Sequence, residues 1–470
     1  MKKQLILFGH LSLITTAILA LYFYKERVLY VDPGQQLFEM INTGGYKTYV
    51  SRYSMYINQT IPLMAIRLGL SLRTIMIAYS LSFVVVYYTC FLISVYKFKN
   101  ITAGLCIAFA PLLIRIMFGH SIAETWLGIG YSTLFFAALQ YKDYIQAPLQ
   151  WRRIPYYLLL LALVVLNYFM HPVTLFFLGY AIAYTCIINK AYIKAWPYLL
   201  SLFVLALYSY KFFFTTYAYE ESFFNGLKDA PKYAGQLFQL PVILFFIKCF
   251  RETYICFTLF FVLGIAGCIW KRKYILALFI IGYTALYLVI ATLAFHDHPG
   301  PMLAEARLLP LIFMALIPAT DLLQGLKKNY LTGAAILCVL GFSYVQLYKA
   351  VKMHHTSRLE FYASLLEETR QYPERKFYAF KQPCWQSKAN SWGIAVETLM
   401  LTSLEGKENG RTIYFFPGGT VPDPTFMQRG CNFLWVDWWT YYSEDFFNKK
   451  YFDLGCRPYR EIHNPECETK

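Results

Sequence analysis

Charge is scarce in this chain, and acidic charge is scarcest. Of 470 residues only 15% are charged, and 27 acids stand against 43 bases, for a formal net charge of +16. A soluble domain carries nearer a quarter charged residues, so the composition points away from a water-soluble enzyme. Recognisable motifs are scarce too. There is no glycine-rich phosphate loop, no zinc-spaced Cys/His set and no RNA-binding signature, so nucleic acid is not an expected partner despite the net charge. No internal repeat suggests the inverted halves of a transporter, and no low-complexity linker divides the chain.

What the chain has instead is apolar surface. Hydrophobic residues make up 58%, with 41 Tyr and 40 Phe, a supply of amphipathic rings that suits many membrane–water boundaries. Apolar runs long enough for a membrane helix are expected at about 4–24, 73–96, 101–118, 125–141, 154–170, 172–189, 195–213, 254–270, 274–295, 308–325 and 329–348. The first follows Lys2 and Lys3 and runs on into Leu21-Tyr-Phe-Tyr, without the small residues of a cleavage site, so it is expected to remain as a span. The expected fold class is a polytopic α-helical membrane protein of about eleven spans (residues 1–348) with a small C-terminal α/β domain (residues 349–470).

Loop charges set an orientation. The connections KFKN (97–100), 140–153 with Arg152 and Arg153, NKAYIK (189–194), KRK (271–273) and KK (327–328) are short and basic. By the positive-inside rule they are cytoplasmic, which puts the N-terminus inside and the tail outside. The opposite face then holds a long first loop (25–72), GHSIAE (119–124), His171-Pro172, the 214–253 segment and HDHPGPMLAEAR (296–307). Within 214–253 the apolar part is short and broken by Pro241, so an interfacial or re-entrant helix is expected at about 224–250, with a twelfth span as the competing reading. In the tail, FYAF (377–380) and TIYFF (412–416) read as strands around a helical pattern, Trp392 to Leu404. Cys384, Cys431, Cys456 and Cys467 fit one or two disulfides in an exported domain, with the pairing open.

Polar residues gather on the outer face. Asp32 and Glu39 lie in the first loop, with Lys47, Arg52 and Arg67 beyond; His120 and Glu124 flank a turn; His171, His296, Asp297, His298, Glu305 and Arg307 end or open spans. Asp32 has two readings that can coexist. It can draw a proton from an acceptor hydroxyl as general base, or it can N-cap a juxtamembrane helix, since Pro33 and QQLFEM follow it. Glu124 would share a helix face with His120, four residues earlier, and either shares proton duties with Asp32 or sits in a solvated turn. Asp32, Glu124, His296 and His298 are the candidate ligands of a divalent metal, Mg or Mn, although HDHPG matches no defined metal spacing. Arg307 opens the tenth span and can grip a phosphate bidentately or snorkel to headgroups, and Arg52 carries the same two readings. His120, His171 and Glu39 complete the candidate substrate-binding set.

One span, a long outer loop with an Asp just past it, a helical stretch re-entering the membrane (TIPLMAIRLGLSL), a second-loop acid, an Arg-to-Pro span opening and an outer C-terminal lobe together resemble the GT-C superfamily of integral-membrane glycosyltransferases. The resemblance implies transfer of a sugar from a polyprenyl- or dolichyl-phosphate carrier to an acceptor on the outer face. It maps Asp32 onto the first-loop catalytic aspartate, Glu124 onto the second-loop acid, and Arg307 onto a lipid-phosphate contact. Asp32 is followed by Pro33, so the chain has no Asp-Asp or Asp-Glu pair there, and Val436-Asp437-Trp438-Trp439 is only superficially like the tail motif of oligosaccharyltransferases. The expected partners are a lipid-linked sugar donor, membrane lipids and envelope proteins met through residues 349–470. The expected location is a bacterial inner membrane, with the tail in the periplasm. The rival reading is a non-catalytic membrane protein, either a transporter or flippase or a structural subunit of an envelope complex. A transporter should carry ionisable groups at mid-span, and the few here, such as Arg115 and Lys211, lie near the outer ends.

Overall fold

The computed structural model describes residues 2–113, 118–119, 124–141, 154–190, 194–214, 226, 228–294, 296, 307–326, 330–380, 393–416, 430–437 and 440–462. The chain is largely helical, with a small region of sheet near its C-terminus. In order, the helices used below are α1 (Lys2–Tyr22), α2 (Tyr24–Val28), α3 (Asp32–Thr43), α4 (Tyr56–Arg67), α5 (Leu72–Leu92), α6 (Ile101–Leu113), α7 (Glu124–Leu139), α8 (Ile154–Tyr168), α9 (Thr174–Asn189) and α10 (Trp196–Phe214). They continue with α11 (Pro241–Lys248), α12 (Ile255–Trp270), α13 (Tyr274–Ala294), α14 (Leu309–Gly325), α15 (Tyr330–Ala350), α16 (Ser357–Thr369) and α17 (Ile394–Ser403).

Among the described residues, each of the eleven expected apolar runs falls largely on a helix. Five helices are long and apolar enough to cross a membrane unaided: Lys2–Tyr22, Leu72–Lys97, Trp196–Phe214, Tyr274–Ala294 and Gly333–Thr369. The others, α6 to α9, α12 and α14, are shorter. On α1 the side chains of Leu7, Leu11, Ile14, Ile18 and Leu21 are exposed while Leu5, Phe8, Ser12, Thr16 and Ala20 are buried. That is a helical face of apolar residues turned outward, a stripe that makes sense against lipid and would be a liability in water. Helices inside the bundle approach closely. A Cβ on Gly264 of α12 would sit 2.9 Å from Pro318 and 3.1 Å from the Ala319 amide of α14, so only glycine admits that contact.

Two expectations about boundaries change. The last apolar helix does not stop at residue 348 but runs to Thr369 through a π turn at Val351–Thr356. No Pro or Gly occurs between Lys349 and Thr369 to end it. In the 228–252 stretch two helical pieces, Lys228–Gln239 and Pro241–Glu252, meet at 47°. Pro241 opens the second piece, where its missing N–H costs nothing.

The tail forms a βαβ unit. β1 (Lys376–Phe380) and β2 (Thr412–Phe416) pair in parallel, Phe377 opposite Ile413 and Ala379 opposite Phe415, with α17 as the crossover. A short β5 (Arg460–Glu461) adds to the other side of β1, and β3 (Leu434–Asp437) pairs antiparallel with β4 (Thr440–Tyr442). Cys431 and Cys456 are disulfide-bonded. Cys384 and Cys467 lie outside the described residues.

The tail docks on the first loop. Phe38 of α3 packs among Tyr442, Phe446, Phe447 and Phe452. The Asn448 side chain donates to the Ile41 carbonyl at 3.0 Å and its backbone N–H to Asn42 at 2.7 Å, while the Tyr451 hydroxyl donates to Leu70 at 2.9 Å. α3 is amphipathic, with Leu37, Phe38, Met40 and Ile41 buried, and that buried face is the one the tail helps to cover.

Candidate functional site

The backbone that delivers the first-loop residues is strained. Val31, at the N-cap of α3, has φ +49°, and Val50 and Ser51 have φ +53° and +23°. Non-glycine residues rarely adopt this region, and a β-branched one there is an outlier that its surroundings must hold in place. Each strained step directly precedes a candidate residue, Asp32 in one case and Arg52 in the other.

What holds Val31 comes from the tail. Glu397 of α17, fully buried, accepts the Val31 N–H at 2.5 Å. Its other oxygen accepts from Arg358 of α16 at 2.7 Å. Arg358 also donates to the Leu29 carbonyl, and its guanidinium lies over the Tyr30 ring. Residues 29–31 are thus clamped by one buried ion pair from the tail. Neither member of the pair was among the expected site residues. The available sign was a lone acid in the apolar run GIAVETLML, because a buried Glu is almost always paired.

Asp32 is therefore the first residue of α3 and not its cap. The N-cap position belongs to Val31, and no side chain caps the helix. The capping expectation fails because the helix begins one residue earlier than Pro33 suggests: the Val31 carbonyl already accepts the Gln35 N–H at 3.0 Å. Among the described residues no hydrogen bond reaches the Asp32 carboxylate, and its side chain is open to solvent. Surrounding protein nevertheless displaces much of its water. Desolvation, and then the negative charge of Glu124, push its pKa up to about 7, with Arg52 pulling the other way. The carboxylate is thus exposed to solvent while the protein packed around it disfavours its charged form.

Glu124 opens α7 and is ion-paired with Arg52. Arg52 is buried, and its segment is tied to the α8–α9 turn, where the Ser54 hydroxyl donates to Leu166 at 2.6 Å. That turn carries His171. Its Nδ1 accepts the Val173 N–H at 3.1 Å, which leaves the proton on Nε2. Burial, then the charges of Arg52, Arg307 and Lys211, hold His171 far below its ordinary pKa and therefore neutral. The same field places Arg307, at the start of α14, and Lys211, at the end of α10, around the histidine. Tyr287 donates to the Arg307 carbonyl at 2.6 Å and fixes where that helix begins. Lys211, buried and donating to Tyr168 at 3.4 Å, is an addition to the expected set.

Of the expected residues, Asp32, Glu124, Arg52, His171 and Arg307 fall within one electrostatic neighbourhood. Glu39 is a neighbour with a structural occupation. It accepts from Tyr442 of the tail at 2.5 Å and from Tyr49 at 3.2 Å, with Lys47 at 3.9 Å. His296 stands elsewhere in its contacts: its ring stacks on Tyr233 at 3.8 Å and its Nδ1 meets the Leu293 carbonyl. His120 and His298 lie outside the described residues. Among the described residues no group of three His, Cys, Asp or Glu could hold a metal ion, and Glu124 already faces a guanidinium.

The assembled groups are one carboxylate that no described residue hydrogen-bonds, one carboxylate held by arginine, one neutral imidazole and three cations. Such a set can take a proton at Asp32 while neutralising an anion nearby. No protein-family model, no curated protein and no solved structure matches this chain.

Proposed function

We propose that the chain is a membrane glycosyltransferase of GT-C type that moves a sugar from a lipid-phosphate carrier to a hydroxyl acceptor. The observation that carries the reading is the meeting of Asp32 with Arg52 and Glu124, each reached through strained backbone or a helix start. In the step, an Asp32 oxygen takes the acceptor O–H proton as the acceptor oxygen bonds to the sugar's anomeric carbon. The bond from that carbon to the carrier phosphate breaks, and the electron pair leaves on the phosphate. Arg307, with Lys211, receives the added negative charge, a task suited to fixed cations in a site shielded from water. Glu124 keeps Arg52 in place and keeps the Asp32 pKa high, so that the base is strong enough to matter.

Eleven crossings are part of this reading, with the N-terminus cytoplasmic and the tail periplasmic. The docking of the tail on the first loop supports the count, because two segments in contact must lie on the same side of the membrane. An even number of crossings then separates them. Ten from α5 to α15 satisfies this, whereas a further crossing by the bent pair at 228–252 does not.

The test is Asp32→Asn in the full-length protein, assayed with polyprenyl-phosphate sugars in membranes. Loss of transfer with normal insertion supports the assignment. Full transfer in the variant rejects it, and no transfer by the parent protein with any lipid-phosphate sugar leaves the non-catalytic membrane protein as the better reading.

A further inference from the structure

Where α5 begins, a cavity of about 450 Å³ opens between the first loop and the tail. Gly69, Ser71 and Arg73 line one side, and Ser403, Lys407 and Lys450 line the other. None of Asp32, Glu124, Arg52, His171 or Arg307 contributes to it, so this is a separate place in the fold.

Its charge is one-sided. Lys450 Nζ donates to the Gly69 carbonyl at 2.7 Å, Lys407 Nζ donates to the Lys449 carbonyl at 3.0 Å, and Arg73 lies beside the Tyr24 hydroxyl. Those partners are neutral, and among the described residues no acidic side chain is part of the cavity's lining. An ammonium carries three N–H donors and a guanidinium five, so each cation keeps donors for a further acceptor. Three like charges gathered at one cavity repel one another, and the single Glu408 carboxylate against Gly406 offsets only part of that, so the net charge there still favours an anion. The amide end of α5, capped by Ser71, faces the same place and favours the same sign of charge.

Its depth narrows the ligand. Leu72–Lys97 is long and apolar enough to cross a membrane, so its first turn marks the boundary between water and hydrocarbon. Just before it, Met64, Leu68 and Leu70 expose apolar side chains. Cations above and apolar groups beside them match a phosphate head and its acyl chains.

We propose that this cavity binds the phosphate of an anionic membrane lipid, which bridges the tail to the re-entering first loop. The inference rests on the membrane-spanning character of Leu72–Lys97 and not on the transfer reaction. To test it, the full-length protein in neutral detergent is given equal phosphatidylglycerol and phosphatidylcholine, and retained lipid is counted by native mass spectrometry. Phosphatidylglycerol should be kept preferentially, and the combined Arg73→Gln, Lys407→Gln and Lys450→Gln variant should keep about tenfold less, the equivalent of one charge-assisted contact or more. The charge-keeping pair Lys407→Arg and Lys450→Arg should retain it. Equal retention of both lipids, no loss in the Gln variant, or equal loss in the Arg variant overturns the proposal. Displacement of phosphatidylglycerol by equimolar inorganic phosphate also overturns it, by identifying a pocket for the free anion.

Discussion

Two aspartates sit near opposite ends of the same helices and are treated in opposite ways. α9 and α14 each run from the cluster around His171 and Arg307 to the far end, where Asp321 lies. Asp321 is fully engaged: Tyr184 donates to one oxygen at 2.7 Å, Thr102 donates to the other, and Lys271 bonds its carbonyl at 3.3 Å. Asp32 receives no hydrogen bond from any described residue, and desolvation pushes its pKa up to about 7. A carboxylate whose acceptor sites are filled holds helices together. One left open while protein crowds it keeps its basicity for something else.

The largest way to break this contrast is to neutralise each acid in turn. Asp32→Asn should lower lipid-phosphate sugar transfer by about a hundredfold or more, the usual scale of a lost general base. Asp321→Asn should leave transfer within a few-fold, as expected for a group whose partners are structural. Initial rates in the same membranes settle it, and equal losses in the two variants would erase the distinction drawn between them.

A second experiment exchanges activity for stability. Glu397→Ala leaves Arg358 buried without its carboxylate and the Val31 N–H without its acceptor. Breaking one side of a buried pair costs about 3–5 kcal/mol, so the melting temperature in detergent should fall markedly. Asp321→Ala removes acceptors for two hydroxyls and should cost less, about 1–3 kcal/mol. A Glu397→Ala protein as stable as the parent would mean that the tail rests on the first loop without holding it.

The helices and the strands of the tail were legible in the sequence because apolar run length and alternation are local signals. The clamp was not. Glu397 and Val31 are 366 positions apart and meet only once the tail has folded back. The strain at Val31, Val50 and Ser51 was hidden for a related reason, since nothing in a valine's neighbours announces a positive φ. Asp32 was over-read as a helix cap because Pro33 suggested a helix start, which was right to within one residue. Glu124 was read as a second acid for the chemistry, and its arginine partner came from a loop 72 positions away.

That partner leads to the smallest and sharpest effect, a shift in pH dependence. Asp32 must be ionised to act as base, so transfer by the parent protein should rise with pH through about 7. Glu124 raises the Asp32 pKa and Arg52 lowers it. Glu124→Gln removes the first influence and releases Arg52 from its ion pair, so both changes favour the ionised aspartate. The midpoint of the pH profile should therefore move down, by about one unit or less for partly hydrated charges. Stability runs the opposite way. A carboxyl with a higher pKa folded than unfolded binds more protons when folded. Its contribution is present at low pH and is lost as pH rises from the ordinary carboxylate range through about 7, and Asp32→Asn should remove that dependence. Disappearance of the pH transition in Glu124→Gln would show that Glu124, not Asp32, carries the titrating proton.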